Sequence, residues 1–121
     1  MIYTSYFAML KRIPADTIVP ISICGKAPDW YKGLQYKVLA PRYDFFQEWK
    51  KNKDNQYYTE CYNNQILSHM NPGDIEKVLY SMSRGKDVVL LCYEKPSDFC
   101  HRHLVADWFC NHGIQVEEFK T

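Results

Sequence analysis

Asp87-Val88-Val89-Leu90-Leu91-Cys92 is an apolar run behind a single acid, rich in branched side chains. It lacks the alternation of a strand with one wet face, so it fits a strand buried on both faces, as in a parallel sheet. Upstream, Asn71-Pro72 reads as a helix start, with Asn as N-cap and Pro at the first helical position. Ile75, Val78, Leu79 and Met82 then recur at helical spacing, and Gly85 closes the helix. Downstream, a loop spans Tyr93 to Ser97, and Asp98 is the expected N-cap of a second helix. Leu104, Val105, Trp108 and Phe109 form its apolar stripe, Gly113 stops it, and Ile114 to Phe119 reads as a further strand. Strand, helix and strand in this order make a C-terminal βαβ unit with a right-handed crossover.

The N-terminal half is less regular. Ile2 to Met9 and Thr17 to Cys24 read as strands, with Pro20 placing the second at an edge or a bulge. A short strand is expected over Gln35 to Leu39. Phe45, Phe46 and Trp49 suggest one helix, and Tyr58, Cys61, Tyr62, Gln65, Ile66 and His69 keep helical spacing through another. Lys50-Lys51-Asn52-Lys53-Asp54-Asn55 reads as an exposed break between them. Alternating strands and helices predict a three-layer α/β domain with a mostly parallel sheet, and no repeat or linker divides residues 1–121.

Composition narrows the class of function. At 121 residues, 46% hydrophobic and 24% charged, the chain is sized for one globular core. Aromatics reach 16%, more than so small a domain buries completely, so an aromatic-lined surface is expected. A formal net charge of +1 gives no overall field for non-specific nucleic-acid binding, although a local basic patch is still open. Met1 to Tyr6 lacks the charged start and apolar stretch of a secretion signal, and no run is long enough to cross a membrane. Five cysteines without paired C-x-x-C spacing argue against a disulfide framework and for reduced thiols in the cytoplasm.

Ligands of open parallel sheets bind beyond the carboxyl ends of the strands. Two segments should open there: Cys24-Gly25-Lys26, and Cys92-Tyr93-Glu94 leading into Cys100-His101-Arg102. A helix start favours an anion, and Arg102 adds a guanidinium suited to phosphate or carboxylate, with Lys26 as a second cation. A thiol in the first helical turn has its thiolate stabilised, which makes Cys100 a candidate nucleophile. Glu94 and His101 are candidate acid/base groups. The expected ligand is anionic, a nucleotide or nucleic-acid phosphate, with Trp30, Tyr31 and Tyr36 available to stack on bases. Whether the site uses a cofactor is not legible in the sequence.

Plainer readings of the same residues stay open. Cys92 ends an apolar strand and suits core packing, with Cys24 in a similar place. Glu94 and Arg102 could pair as a structural brace in a non-catalytic binding module. His101 could be a half-buried histidine with its hydrogen bonds satisfied. A cysteine phosphatase is excluded by spacing, because the residue at the offset that chemistry needs from Cys92 is Asp98, not an arginine. Zinc on Cys92, Cys100, His101 and His103 is disfavoured, since neighbours 100 and 101 point different ways on a helix.

Leu91-Cys92-Tyr93-Glu94, followed after five residues by Cys100-His101-Arg102, resembles the hallmark of the domain of unknown function 488 family. The resemblance extends through Val116-Glu117-Glu118-Phe119 and implies an α/β fold with a common site at these residues, but no particular reaction. Upstream the counterparts are Tyr3-Thr4-Ser5-Tyr6-Phe7 and Ile21-Ser22-Ile23-Cys24-Gly25-Lys26. The second lacks the Asp and Arg of the family pattern, which marks a divergent branch, as does Lys37-Val38-Leu39-Ala40-Pro41. Lys26 and Arg42 could supply the missing positive charge.

Overall fold

The computed structural model describes residues 1–120. Five strands, β1 (Ile2–Tyr6), β2 (Ile18–Ser22), β3 (Leu34–Gln35), β4 (Asp87–Cys92) and β5 (Val116–Glu118), form one sheet in the order β3-β2-β4-β1-β5. Every pairing is parallel. Four helices join them: α1 (Tyr43–Asn52), α2 (Asn55–Gln65), α3 (Pro72–Met82) and α4 (His101–Asn111).

The side chains of β4 explain the layering. Successive residues of a strand point to opposite faces. Val88 and Leu90 join a core with Phe45 of α1, Tyr58 and Tyr62 of α2, Leu79 of α3, and Val105 and Phe109 of α4. Val89 and Leu91 pack on the other face with Phe7, Ile13 and Tyr31. All four helices therefore cover one face. The third layer is a 3₁₀ turn over Phe7–Arg12 together with the chain around Tyr31. Both faces are dry, as the apolar run required, and each fully buried Val or Leu contributes about 1.5–3 kcal/mol.

The C-terminal elements match the sequence reading closely. Asn71 caps α3 by accepting from the Asp74 amide at 3.1 Å, and Pro72 opens the helix. The crossover through α4 passes over β1, because β5 pairs with β1 and not with β4.

The N-terminal strands are shorter than expected. β1 stops at Tyr6, the last residue with a partner (Cys92), and the chain turns so that Phe7 enters the core. Pro20 sits inside the sheet, but β3 pairs only with Ile21 and Ser22, so on that side Pro20 meets no strand. β3 covers Leu34–Gln35, and Lys37–Leu39 forms a 3₁₀ turn in place of a longer strand. The expected break narrows to Lys53 and Asp54: α1 continues to Asn52, Lys53 takes a left-handed φ of 54°, and Asp54 caps α2.

Candidate functional site

Beyond the carboxyl ends of β2 and β4 lies a cleft of about 610 Å³. Cys24, Gly25 and Lys26 form one lip, Tyr93 and Glu94 another, and Cys100 and His101 lie where α4 begins. The Tyr93 hydroxyl donates to the Lys26 carbonyl at 2.7 Å and ties the two lips together. Rings from Tyr43, Phe46, Trp49, Tyr58 and Phe99 form the wall, and Lys50 adds a second cation to Lys26.

The helix start differs from the expectation. Asp98 closes a turn, its amide donating to the Lys95 carbonyl at 3.0 Å, and the N-cap is Cys100. Cys100 is extended (φ −157°, ψ 144°), so residues 100 and 101 are not successive helical positions. That overturns the objection that their side chains diverge: Cys100 Sγ and His101 Nδ1 lie 3.9 Å apart. Cys92, Cys100 and His101 each place a potential metal ligand atom within 4.8 Å of the others. A metal there would require both sulfurs as free thiolates, and the guanidinium of Arg102, 3.1 Å from Cys92 Sγ, opposes a second cation.

The sulfurs themselves are joined, since Cys92 and Cys100 form a disulfide. No disulfide framework results, because Cys24, Cys61 and Cys110 are free, but the expectation of reduced thiols throughout is corrected at this pair. The cause is tertiary. Eight residues separate the two cysteines in sequence, and the 93–99 loop folds back to lay the α4 cap against the end of β4. Cys24 also lines the cleft, but burial first, and then the Glu94 charge, push its pKa up to about 12, so it stays a thiol.

His101 is buried, and its Nε2 lies 2.7 Å from the Ile23 carbonyl. A carbonyl only accepts, so Nε2 carries the proton and Nδ1 presents a lone pair toward the Cys100 sulfur. Desolvation lowers its pKa to about 4, outweighing the opposing effect of the Ile23 bond, and the ring is neutral at pH 7. The Ile23 amide meanwhile donates to Leu91, so one residue past β2 is held by both β4 and α4.

Arg102 is fully buried and does not line the cleft. Its Nε and Nη2 grip the Glu118 carboxylate at 3.2 and 3.0 Å. Nη1 donates to the Glu94 carbonyl at 2.6 Å and to Cys92 Sγ at 3.1 Å. Glu118 also accepts from the Thr4 hydroxyl at 2.7 Å. A brace therefore exists, but its carboxylate is Glu118, and Glu94 contributes only its main-chain oxygen. The Glu94 side chain is left to the cleft.

The aromatic expectations divide. Trp30 is exposed but stands at a separate hollow with Tyr31 and Gly33 and does not line the cleft. Tyr31 is buried, donating to the Leu34 carbonyl at 2.7 Å, and Tyr36 packs against the core. The rings that do line the cleft come from α1, α2 and the loop before α4. Their trace in the sequence was the helical spacing of Phe46 and Trp49 in one helix and of Tyr58 in the next, together with the abundance of aromatics.

A family model described as DUF488-N3a, "Active DUF488-N3 subclade", matches residues 10–113. No curated protein and no solved structure matches the chain. Among the described residues no helix is long and apolar enough to cross a membrane.

Proposed function

The chain belongs to the domain of unknown function 488 family, and we propose that its cleft binds a planar anionic ligand of the nucleotide class and works chemically on it. One observation carries this reading: Lys26, Glu94, Cys100 and His101 open into the same aromatic-walled cleft. Rings offer stacking faces to a base, and the exposed Lys26 and Lys50 offer point charges to a phosphate. Glu94 is the acid/base group. Once Cys100 is freed from Cys92, its sulfur is the nucleophile, and the His101 Nδ1 lone pair accepts its proton. Arg102 leaves the expected anion clamp, since four of its N–H donors are satisfied internally, and Lys50 takes that place beside Lys26. A cytoplasmic setting, where nucleotides and small thiols are abundant, belongs to the same reading.

Equilibrium dialysis of the reduced chain against adenosine monophosphate tests it. Saturable binding is expected, weakened roughly 5- to 150-fold by Tyr43→Ala, which corresponds to about 1–3 kcal/mol for one stacking ring. Tyr43 is 77% exposed, so its loss leaves the core untouched. Lys26→Ala should weaken binding as well, with the difference shrinking as salt rises. Absence of saturable binding to millimolar ligand, or indifference to both substitutions, rejects the reading.

A second reading has its own support in the Arg102–Glu118 brace: the motif is structural and the cleft only binds. In that case Cys100→Ala keeps full affinity and no covalent or catalytic step depends on it.

A further inference from the structure

We propose that Cys92–Cys100 is a redox-active disulfide, and that the cleft admits a low-molecular-weight thiol that exchanges with it at Cys100. The two sulfurs are not equivalent. Cys100 borders the cleft and keeps a small exposure of 4%, whereas Cys92 lies behind it, wholly buried at the end of β4. An entering thiolate therefore reaches Cys100 Sγ first.

The step balances as follows. The thiolate sulfur bonds to Cys100 Sγ, the Sγ–Sγ bond to Cys92 breaks, and its electron pair leaves on Cys92. A departing thiolate inside an apolar core needs a counter-charge. Arg102 supplies one, with its Nη1–H already 3.1 Å from that sulfur. Glu118 and the Glu94 carbonyl hold the guanidinium in place, so it need not reorganise when charge develops. A second thiol then attacks the sulfur of the first, releasing Cys100. In total, two small thiols are oxidised to their disulfide and the protein pair is reduced, the two thiol protons passing to the cysteines or to solvent. The reverse sequence re-forms the protein disulfide from an oxidised small disulfide. His101 Nδ1, 3.9 Å from Cys100 Sγ, accepts the Cys100 proton on that return. Cys100 is thus the exchanging cysteine, Cys92 the resolving one and Arg102 a positioning residue.

This inference rests on the cleft being the working site and not on which ligand occupies it, so its test contains no nucleotide. The full chain is equilibrated with reduced and oxidised glutathione at a series of ratios, quenched with acid, alkylated, and mapped by mass spectrometry. Cys92 and Cys100 should convert together as one two-electron couple, while Cys24, Cys61 and Cys110 stay free of it. In Cys92→Ala, glutathione should be captured at Cys100. In Arg102→Lys, checked for native circular dichroism, the half-reduction point should move at least threefold toward more reduced glutathione. The proposal is overturned if the two cysteines titrate separately, if neither changes state across the series, or if glutathione in Cys92→Ala is captured at Cys61 or Cys110 instead. An unshifted half-reduction point in a folded Arg102→Lys variant removes Arg102 from the step. Failure here with intact nucleotide binding rejects the redox chemistry alone.

Discussion

Arg102→Met is expected to cost about 3–5 kcal/mol of folding stability, read as a lower urea midpoint with an unchanged slope. The substitution removes four hydrogen bonds to three partners at once. Glu118, whose side chain is only 19% exposed, keeps its charge without its bidentate partner. The Glu94 carbonyl and the Cys92 sulfur lose their donor as well. The cost comes mostly from stranding a charge and not from the attraction itself, so removing both charges should restore much of the loss. Arg102→Met with Glu118→Leu should therefore be more stable than Arg102→Met alone, although the Thr4 hydroxyl then lacks its acceptor. Glu94→Gln should change stability by less than about 1 kcal/mol, because only the backbone of that residue takes part. If Glu94→Gln proved as costly as Arg102→Met, the brace would be wrongly drawn.

Acid should weaken the fold through His101. Its pKa falls from 6.5 to about 4 on folding, chiefly through burial, so the unfolded chain binds the extra proton first. Stability is then complete above about pH 6.5, declines as pH drops through that value, and stops declining once pH is below about 4. The full contribution is roughly 3 kcal/mol. His101→Gln keeps a side-chain amide near Ile23 but cannot titrate, so stability measured at pH 7 and pH 4.5 should differ less in that variant than in the parent chain. Burial also lowers the pKa of half-buried His103, which leaves a smaller residual slope of the same sign. Equal pH dependence in parent and variant would place the neutral imidazole elsewhere.

What could be read from the chain follows the range of the interactions involved. β4 and α3 were legible because their signals are local: a dry run of branched residues, and an Asn-Pro start with apolar positions at helical spacing. The start of α4 was not, since Asp98 has an N-cap's chemistry but is used in a turn, and Cys100 caps without a side-chain bond. At the site, the sequence located the right strand ends and the right cluster. It paired Arg102 with Glu94, the acid of the same motif, because the acid it meets, Glu118, arrives only after the chain has crossed the sheet. The disulfide escaped notice for the same reason, as its spacing matches no redox motif and the contact is made by the fold. Trp30 drew attention by its exposure, yet the wall of the cleft is built by Tyr43, Phe46, Trp49, Tyr58 and Phe99 from three separate segments.

The most direct test of the central claim is an amide chemical-shift titration of the reduced chain with adenosine monophosphate. Binding in the cleft predicts shifts clustered at Gly25, Lys26, Tyr43, Phe46 and Phe99 to His101, saturating together. Shifts confined to the Trp30–Gly33 hollow or to residues 117–120, or none at millimolar ligand, would contradict it.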